Sequence, residues 1–274
     1  MQINRVLAVY YSATGNTGKI VRTIAKNAAS ALDVPFKQFS YTLPSFRETH
    51  YTFLPDDLVF FATPVYAGRV PNKLLPFVES GFTGGGAVAV PITVFGNRNF
   101  DNGLIELRNL LEQNGFHTIA AAAFAATHAF SDAITGIRPD EADWQVIHGF
   151  TEAVVKKIRE LTSIPDPIQV PGDNPPLKYY TPLGVDGQPT MFLKAKPQTH
   201  KDLCKACGIC AANCPMAAIS KEDPTQVPGT CIKCQACVRK CPHHAKYFDD
   251  PNFLSHVRML EQNYTTRKEP RVFL

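Results

Sequence analysis

Arg5-Val6-Leu7-Ala8-Val9-Tyr10-Tyr11-Ser12-Ala13-Thr14-Gly15-Asn16-Thr17 is the stretch from which the rest of the chain can be read. Its first seven residues form an apolar run with β-branched and aromatic members, as a strand buried on both faces requires. A small, hydroxyl-rich turn follows. A helical pattern then runs from Gly18 to Ala31 and puts Ile20, Val21, Ile24 and Ala28 on one face. Strand, turn and helix in this order make an anion cradle, because the first-turn N–H groups lack helical partners and sit at the positive end of the helix dipole. A Walker loop is excluded, since Gly18-Lys19 is followed by Ile20 and the glycine spacing is wrong. The G-x-G-x-x-G dinucleotide fingerprint is also absent. Taken alone, the loop also admits an ordinary N-cap turn, for Ser and Thr are common caps.

Working outward, a second short strand is expected around Val34–Phe39. A third runs Asp57-Leu58-Val59-Phe60-Phe61-Ala62 and ends in Thr63-Pro64-Val65-Tyr66-Ala67-Gly68-Arg69-Val70-Pro71. A fourth, Ala87–Phe95, ends in Gly96-Asn97-Arg98-Asn99-Phe100-Asp101, and a fifth, Thr118–Ala126, ends at Thr127-His128. Helical patterns intervene at about 71–80, 102–114 and 139–162. Strands alternating with helices predict an α/β fold with a doubly wound parallel sheet. Ligands of such sheets bind beyond the carboxyl ends of the strands, which is where the unusual loops lie.

The Thr14-Gly15-Asn16-Thr17 turn resembles the phosphate loop of flavodoxins, and the similarity spans about 1–162. The resemblance implies FMN and a five-stranded parallel sheet of order 2-1-3-4-5. Ser12, Thr14, Gly15, Asn16 and Thr17 would hold the phosphate. Pro64, Val65, Tyr66, Ala67 and Gly68, with Gly96 and Asn97, would edge the isoalloxazine, and Arg98, Phe100 and Asp101 share the second of these loops. Tyr66 or Phe100 would stack on the ring. Flavodoxins usually offer two large aromatics here, whereas the only tryptophan, Trp144, falls in the last helix and reads as packing against the sheet. Gly68 would let a peptide reorient beside the flavin, although it also reads as a plain turn glycine. Arg69, Arg98 and His128 fall on these loops as candidate cations at the flavin edge, with solvated arginines and a strand-end histidine as the ordinary alternative.

Residues 164–199 change character: eight of the chain's 22 prolines lie there, interrupted by Tyr179, Tyr180, Met191, Phe192 and Leu193. Such a segment is extended and semi-rigid, and its aromatics suit a docked strap better than a mobile tether. Two cysteine runs follow, Cys204-x2-Cys207-x2-Cys210-x3-Cys214-Pro215 and Cys231-x2-Cys234-x2-Cys237-x3-Cys241-Pro242, and they use all eight cysteines. Zinc usually takes two C-x2-C pairs without a third evenly spaced cysteine. A disulfide framework needs an oxidising compartment, and Met1-Gln2-Ile3-Asn4-Arg5 does not read as a secretory signal. The duplicated spacing instead fits two 4Fe-4S clusters. The fourth cysteine of each run ligates the partner's cluster, which gives Cys204, Cys207, Cys210 and Cys241 for one and Cys231, Cys234, Cys237 and Cys214 for the other. The stretch resembles the bacterial two-cluster ferredoxins over about 200–248, which implies a small α+β domain. An amphipathic helix is expected over Phe253–Asn263, and the apolar end, Arg271-Val272-Phe273-Leu274, suits packing back across the domain junction.

The predicted layout is therefore 1–163 flavodoxin-like, 164–199 strap, 200–249 ferredoxin-like and 250–274 helix and tail. This order resembles the flavodoxin–ferredoxin fusion proteins of anaerobic bacteria and archaea. With 274 residues and 45% hydrophobic side chains, the chain has room for one sizeable core and a satellite module. The net charge of +4 arises wholly beyond residue 163, because 1–163 carries fourteen basic and fourteen acidic side chains. Two oxidised clusters of about −2 each would offset that excess, so it reads as counterions and not as a nucleic-acid surface. No apolar run approaches bilayer length, and the expected location is cytoplasmic. The leading expectation is an electron carrier linking FMN, two 4Fe-4S clusters and an external redox partner protein. The alternatives are an FMN-dependent reductase of a small oxidant and an iron–sulfur scaffold. Electron direction, partner and oligomeric state are left open by the sequence.

Overall fold

The computed structural model describes residues 1–173, 175 and 177–274; Asn174 and Pro176, both within the expected strap, lie outside the described residues. Strand β1 (Arg5–Tyr10) is buried on both faces, with Val6, Ala8 and Val9 fully enclosed. Helix α1 (Asn16–Leu32) follows and turns Ile20, Val21, Ile24, Ala25 and Ala28 inward, the face its sequence period sets. Then come β2 (Phe36–Ser40), β3 (Asp57–Pro64), α2 (Leu75–Ser80), β4 (Val88–Phe95), α3 (Gly103–Gln113), β5 (Ala121–Ala125) and α4 (Glu141–Glu160). The strands pair in parallel in the order β2-β1-β3-β4-β5. Parallel strands joined by right-handed crossovers carry helices on both faces where the strand order reverses, as it does here at β1. Helices α1 and α4 cover one face and α2 and α3 the other, over two separate apolar layers.

Two departures from the sequence reading matter. The fifth strand is broken: His117–Thr118 pairs with Val88 and Ala89, whereas β5 pairs Ala122 with Ile92, so one extra residue is inserted between the two registers. The backbone N–H of Ile168 reaches the Thr118 carbonyl at 2.9 Å, so the strap occupies this part of the edge. The sheet is also wider than the expected five strands. Strand β6 (Arg271–Phe273) adds antiparallel to β5, Val272 opposite Ala122. The expected return of the apolar C-terminus is thus made as strand addition, which pairs the exposed edge of β5. Ala121, Ala123 and Ala125 leave room for Phe95, Phe100, Ile168 and Phe273 on that face.

The strap binds the α/β unit at several points. The Tyr180 N–H donates to the Ala67 carbonyl (2.8 Å), the Tyr179 hydroxyl to the Val70 carbonyl (3.0 Å), and the Asp173 N–H to Asn102 Oδ1 (2.8 Å). The Arg69 guanidinium stacks 4.2 Å from the Tyr179 ring centre and that of Arg98 4.0 Å from Tyr180. Beyond the strap, Gln198–Thr199 pairs antiparallel with Lys246–Tyr247 and brackets two short helices, α5 (Ile209–Ala212) and α6 (Ala236–Arg239). Helix α7 (Pro251–Asn263) is capped by Asp250. The cysteine-bearing module is seated on the sheet unit: Ala236 joins the α2/α3 core layer, with Ile232 and Cys234 packed against it. Arg47 donates to the Pro215 carbonyl (2.5 Å) on one flank and Arg239 to the His128 and Ala129 carbonyls on the other.

Candidate redox site

Beyond the carboxyl ends of β1, β3, β4 and β5 lies a cleft of about 670 Å³, within the range of organic-ligand sites. Its walls include Thr14, Asn16 and Thr17, then Pro64 to Gly68, then Gly96 and Arg98, and Ala126 to Phe130. At the α1 end of the cleft, Gly15 precedes the helix with no side chain to cap it, which leaves the Asn16 and Thr17 amides for an anion. The Asn16 side chain donates to the Thr127 carbonyl (3.1 Å) and ties this loop to the end of β5. These features fit a planar cofactor with a phosphate tail.

Not every sequence-nominated residue faces the cleft. Ser12 is buried: its hydroxyl accepts from the Gly18 N–H (3.0 Å) and its own N–H donates to Thr42 Oγ1 (2.9 Å), so it braces the loop from behind. The Asn97 side chain is spent on the tail, donating to the Tyr264 and Thr266 carbonyls and accepting from the Lys268 N–H. Phe100 is corrected as a stacking candidate, because its ring turns into the core against Phe95, 5.7 Å between centres. Asp101 pairs with Arg98 and lies under Gly68. Gly68 has φ +80°, and a Cβ there would fall 3.0 Å from the Asp101 Cβ and closer still to its carboxylate, so glycine is required twice over. Gly96 is required by proximity alone, since a Cβ would lie 2.8 Å from His128 Cγ.

Of the three nominated cations, Arg98 lines the cleft, whereas Arg69 is turned to Glu106 and the Leu177 carbonyl. His128 also lines it, and its Nδ1 accepts the Phe130 N–H at 3.0 Å. Burial, helped by the nearby positive groups, pulls the His128 pKa down to about 3, so its ring is neutral at physiological pH. A strap or cluster module over the open side of the cleft fits the sequence, which does not nominate the residues of this outer wall one by one: Tyr179 and Tyr180 of the strap, Phe192 and Leu193, Ile232 and Lys233 of the second cysteine run, and His256 and Leu260 of α7. The strap aromatics are the visible hint of them. Trp144, as expected, packs on the α1/α4 side of the sheet, with the Lys19 ammonium over its ring.

The cysteines gather around two further cavities. Cys204, Cys207, Cys210 and Cys241 line one, and Cys214, Cys231, Cys234 and Cys237 the other. Each thus takes three sulfurs from one run and the fourth from the other, the exchange the spacing predicts. Among the described residues no three His, Cys, Asp or Glu side chains converge tightly enough for a single metal ion; the sulfurs ring a volume instead. The runs repeat each other's backbone. Ala206 and Lys233 (φ +49° and +56°), Gly208 and Gln235 (+73° and +64°), and Ala217 and His244 (+46° and +51°) are left-handed pairs. Ala218 N–H reaches Cys214 Sγ (3.2 Å) and Ala245 N–H reaches Cys241 Sγ (3.3 Å), again in register. Burial pushes the Cys234 and Cys237 thiols up to about 12, so a metal core that takes thiolates must displace their protons. The second cavity adjoins the cleft, for Cys231 and Cys234 line both. The first opens toward solvent beside exposed Cys207.

A family model described as a 4Fe-4S binding domain matches residues 197–220, which hold the first cysteine run. No curated protein matches the chain. Among solved structures, a flavodoxin from Streptococcus pneumoniae TIGR4 is similar at 17% identity over 56% of this chain and 99% of that one, with a TM-score of 0.40. Flavodoxin 2 from Bacillus cereus gives 16% over 56% and 99%, at 0.44. An NADH:FMN oxidoreductase in its apo form gives 14% over 59% and 93%, at 0.42. The strand order 2-1-3-4-5 is that of the flavodoxin-like fold. The chain joins an α/β unit of flavodoxin-like strand order to a cysteine-bearing module, part of which matches a 4Fe-4S binding domain.

Proposed function

We propose that this is an electron-transfer protein that binds FMN in the cleft and two 4Fe-4S clusters in the paired cysteine cavities, relaying electrons between them and an external redox protein. The carrying observation is that Cys231 and Cys234 belong to the walls of both the inner cavity and the cleft. When bound, the flavin supplies two-electron capacity and the clusters single-electron steps at potentials their surroundings tune. In this reading the N-terminal amides of α1, with Thr14, Asn16 and Thr17, bind the phosphate. Pro64 to Gly68 and Gly96 edge the ring, and Arg98 offsets its charge. Tyr66 stands between cleft and sulfur: burial first, then the neighbouring Cys234, raises its hydroxyl pKa, so it stays protonated. The strap at Tyr179 and Tyr180 and the Ile232 loop exclude water from the outer face. The open side at Cys207 is where a partner protein reaches the outer cluster. The working units are 1–163, 164–199, 200–249 and 250–274, and eight reduced cysteines suit the cytoplasm.

Anaerobically purified protein should contain about eight iron, about eight acid-labile sulfide and one FMN per chain. Zinc in place of iron, or no flavin after gentle preparation, would refute the reading. A second reading, reduction of a small oxidant at the flavin, is favoured by exposed Asn72 and Lys73 at the cleft wall. Stopped-flow oxidation of the reduced protein separates the two. Saturable turnover with quinones or nitro compounds supports the enzyme, and fast oxidation by carrier proteins alone supports the relay.

A further inference from the structure

The two cysteine runs share their left-handed positions, and at one of these the second run lines the flavin cleft while the first does not. The residue two after the first cysteine is left-handed in both, φ +49° at Ala206 and +56° at Lys233. A non-glycine residue in this region is uncommon, and such outliers concentrate where the surroundings use them. Ala206 is exposed and touches no part of the cleft. Lys233 is part-buried and lines it, while its neighbours Cys231 and Cys234 line both the cleft and the inner cysteine cavity.

The Lys233 side chain is held in place at both ends. Its backbone N–H donates to Cys231 Sγ (3.4 Å), and its ammonium donates to the Leu193 carbonyl (2.6 Å) and the Cys231 carbonyl (3.2 Å). Both oxygens are neutral. Among the described residues no carboxylate lies within ion-pair distance of that ammonium. The described cleft lining carries Lys73, Arg98 and Lys233 and no Asp or Glu. A pinned cation that no carboxylate contacts directly, and that feels Asp250 only at longer range, acts further through a partly desolvated wall than the same charge in water.

We propose that Lys233 is a positioning residue for charge, a fixed cation shared by the inner cysteine cavity and the flavin cleft that favours the more negative, reduced state of whatever occupies either. The proposal rests on the electron-transfer reading above. It makes Lys233 the point at which reduction on one side is felt on the other, as a coupling free energy between two sites. A purely structural role, holding the Leu193 turn, makes a different prediction: it asks only for a donor and leaves the potentials alone.

The test is an anaerobic spectroelectrochemical titration of the loaded full-length protein, comparing wild type with Lys233→Met, Lys233→Arg and Ala206→Lys. Lys233→Met should lose roughly tenfold in preference for reduced over oxidised FMN, the scale of one partly screened charge at close range. For a two-electron couple that is a fall of about 30 mV in the flavin midpoint. The inner cluster should shift the same way and the outer one less. Lys233→Arg should keep most of the wild-type potential, and Ala206→Lys, the same charge at the outward-facing repeat position, should leave the flavin unmoved. Should Lys233→Met load poorly, Lys233→Gln provides the same loss of charge with polar contacts kept. An unchanged flavin midpoint in a fully loaded charge-free variant, or an equal shift from Ala206→Lys, overturns the proposal. Wild-type protein lacking iron or flavin would instead defeat the functional reading itself, so the two failures are distinguishable.

Discussion

Replacing Gly68 by alanine is the most revealing small change in the cleft. The residue sits at φ +80°, which costs an L-side chain about 1–2 kcal/mol. The new methyl would also press on Asp101, whose own φ of +41° leaves little freedom to retreat. Moving Asp101 breaks its part-buried ion pair with Arg98, worth about 0.5–1 kcal/mol. The sum is about 1.5–3 kcal/mol. At about 2–4 °C per kcal/mol for a unit of this size, the thermal midpoint should fall about 3–12 °C, followed by circular dichroism under argon. Asp101→Gly alone should cost only the ion pair, about 0.5–1 kcal/mol, and in its background Gly68→Ala should cost no more than the backbone conformation, about 1–2 kcal/mol, because nothing is left to collide with. A Gly68→Ala variant as stable as wild type, or a double variant less stable than Gly68→Ala alone, would refute the reasoning.

Other expectations follow from the same geometry. Arg138 and Asp143 form a buried pair, 3% and 1% exposed, that also holds the Lys268 carbonyl; Arg267 retains part of the contact. Arg138→Met should therefore cost about 2–3 kcal/mol, somewhat under the full price of a broken buried pair, and an unchanged melting midpoint would contradict this. His128, depressed to about 3 against an ordinary 6.5, stabilises the fold fully above pH 6.5. That contribution is lost as pH falls toward 3, by at most about 1.4 kcal/mol per pH unit, because only the unfolded chain takes the proton. His128→Asn should flatten this slope in urea titrations, and an equal slope in both proteins would count against it. Cys207→Ser and Cys234→Ser should each lower the iron content by about half. Only the second should also perturb the flavin's visible circular dichroism, since Cys234 alone of the two lines the cleft.

The parts of this molecule that were legible in its sequence are those governed by local chemistry. The apolar run at Val6–Tyr10 reads as a central strand because both its faces are buried, and the period of α1 follows from the layer it covers. The sulfur exchange between Cys214 and Cys241 is encoded in spacing, because three-residue reach fixes which sulfurs share a loop. What escaped was decided by distant partners. Strand β6 finds Ala121–Ala123 across about 150 residues, and no local pattern in Arg271–Phe273 names that edge. Phe100 carries the composition of a stacking ring but had a better apolar site beside Leu104, over the small side chains of β5. The aromatics that line the outer wall instead are Tyr179 and Tyr180, which stack on Arg69 and Arg98. Asn97 likewise had the look of a ligand contact, and the tail at Tyr264 to Lys268 claimed it.

The central claim is that electrons cross from the cysteine module to the cleft inside one molecule. Pulse radiolysis of the oxidised, fully loaded protein, delivering less than one electron per chain, addresses it directly. The flavin and iron–sulfur absorbances should re-equilibrate in a first-order phase whose rate does not depend on protein concentration. A rate that rises in proportion to protein concentration, or a flavin signal that never exchanges with the iron–sulfur signal, would contradict the account.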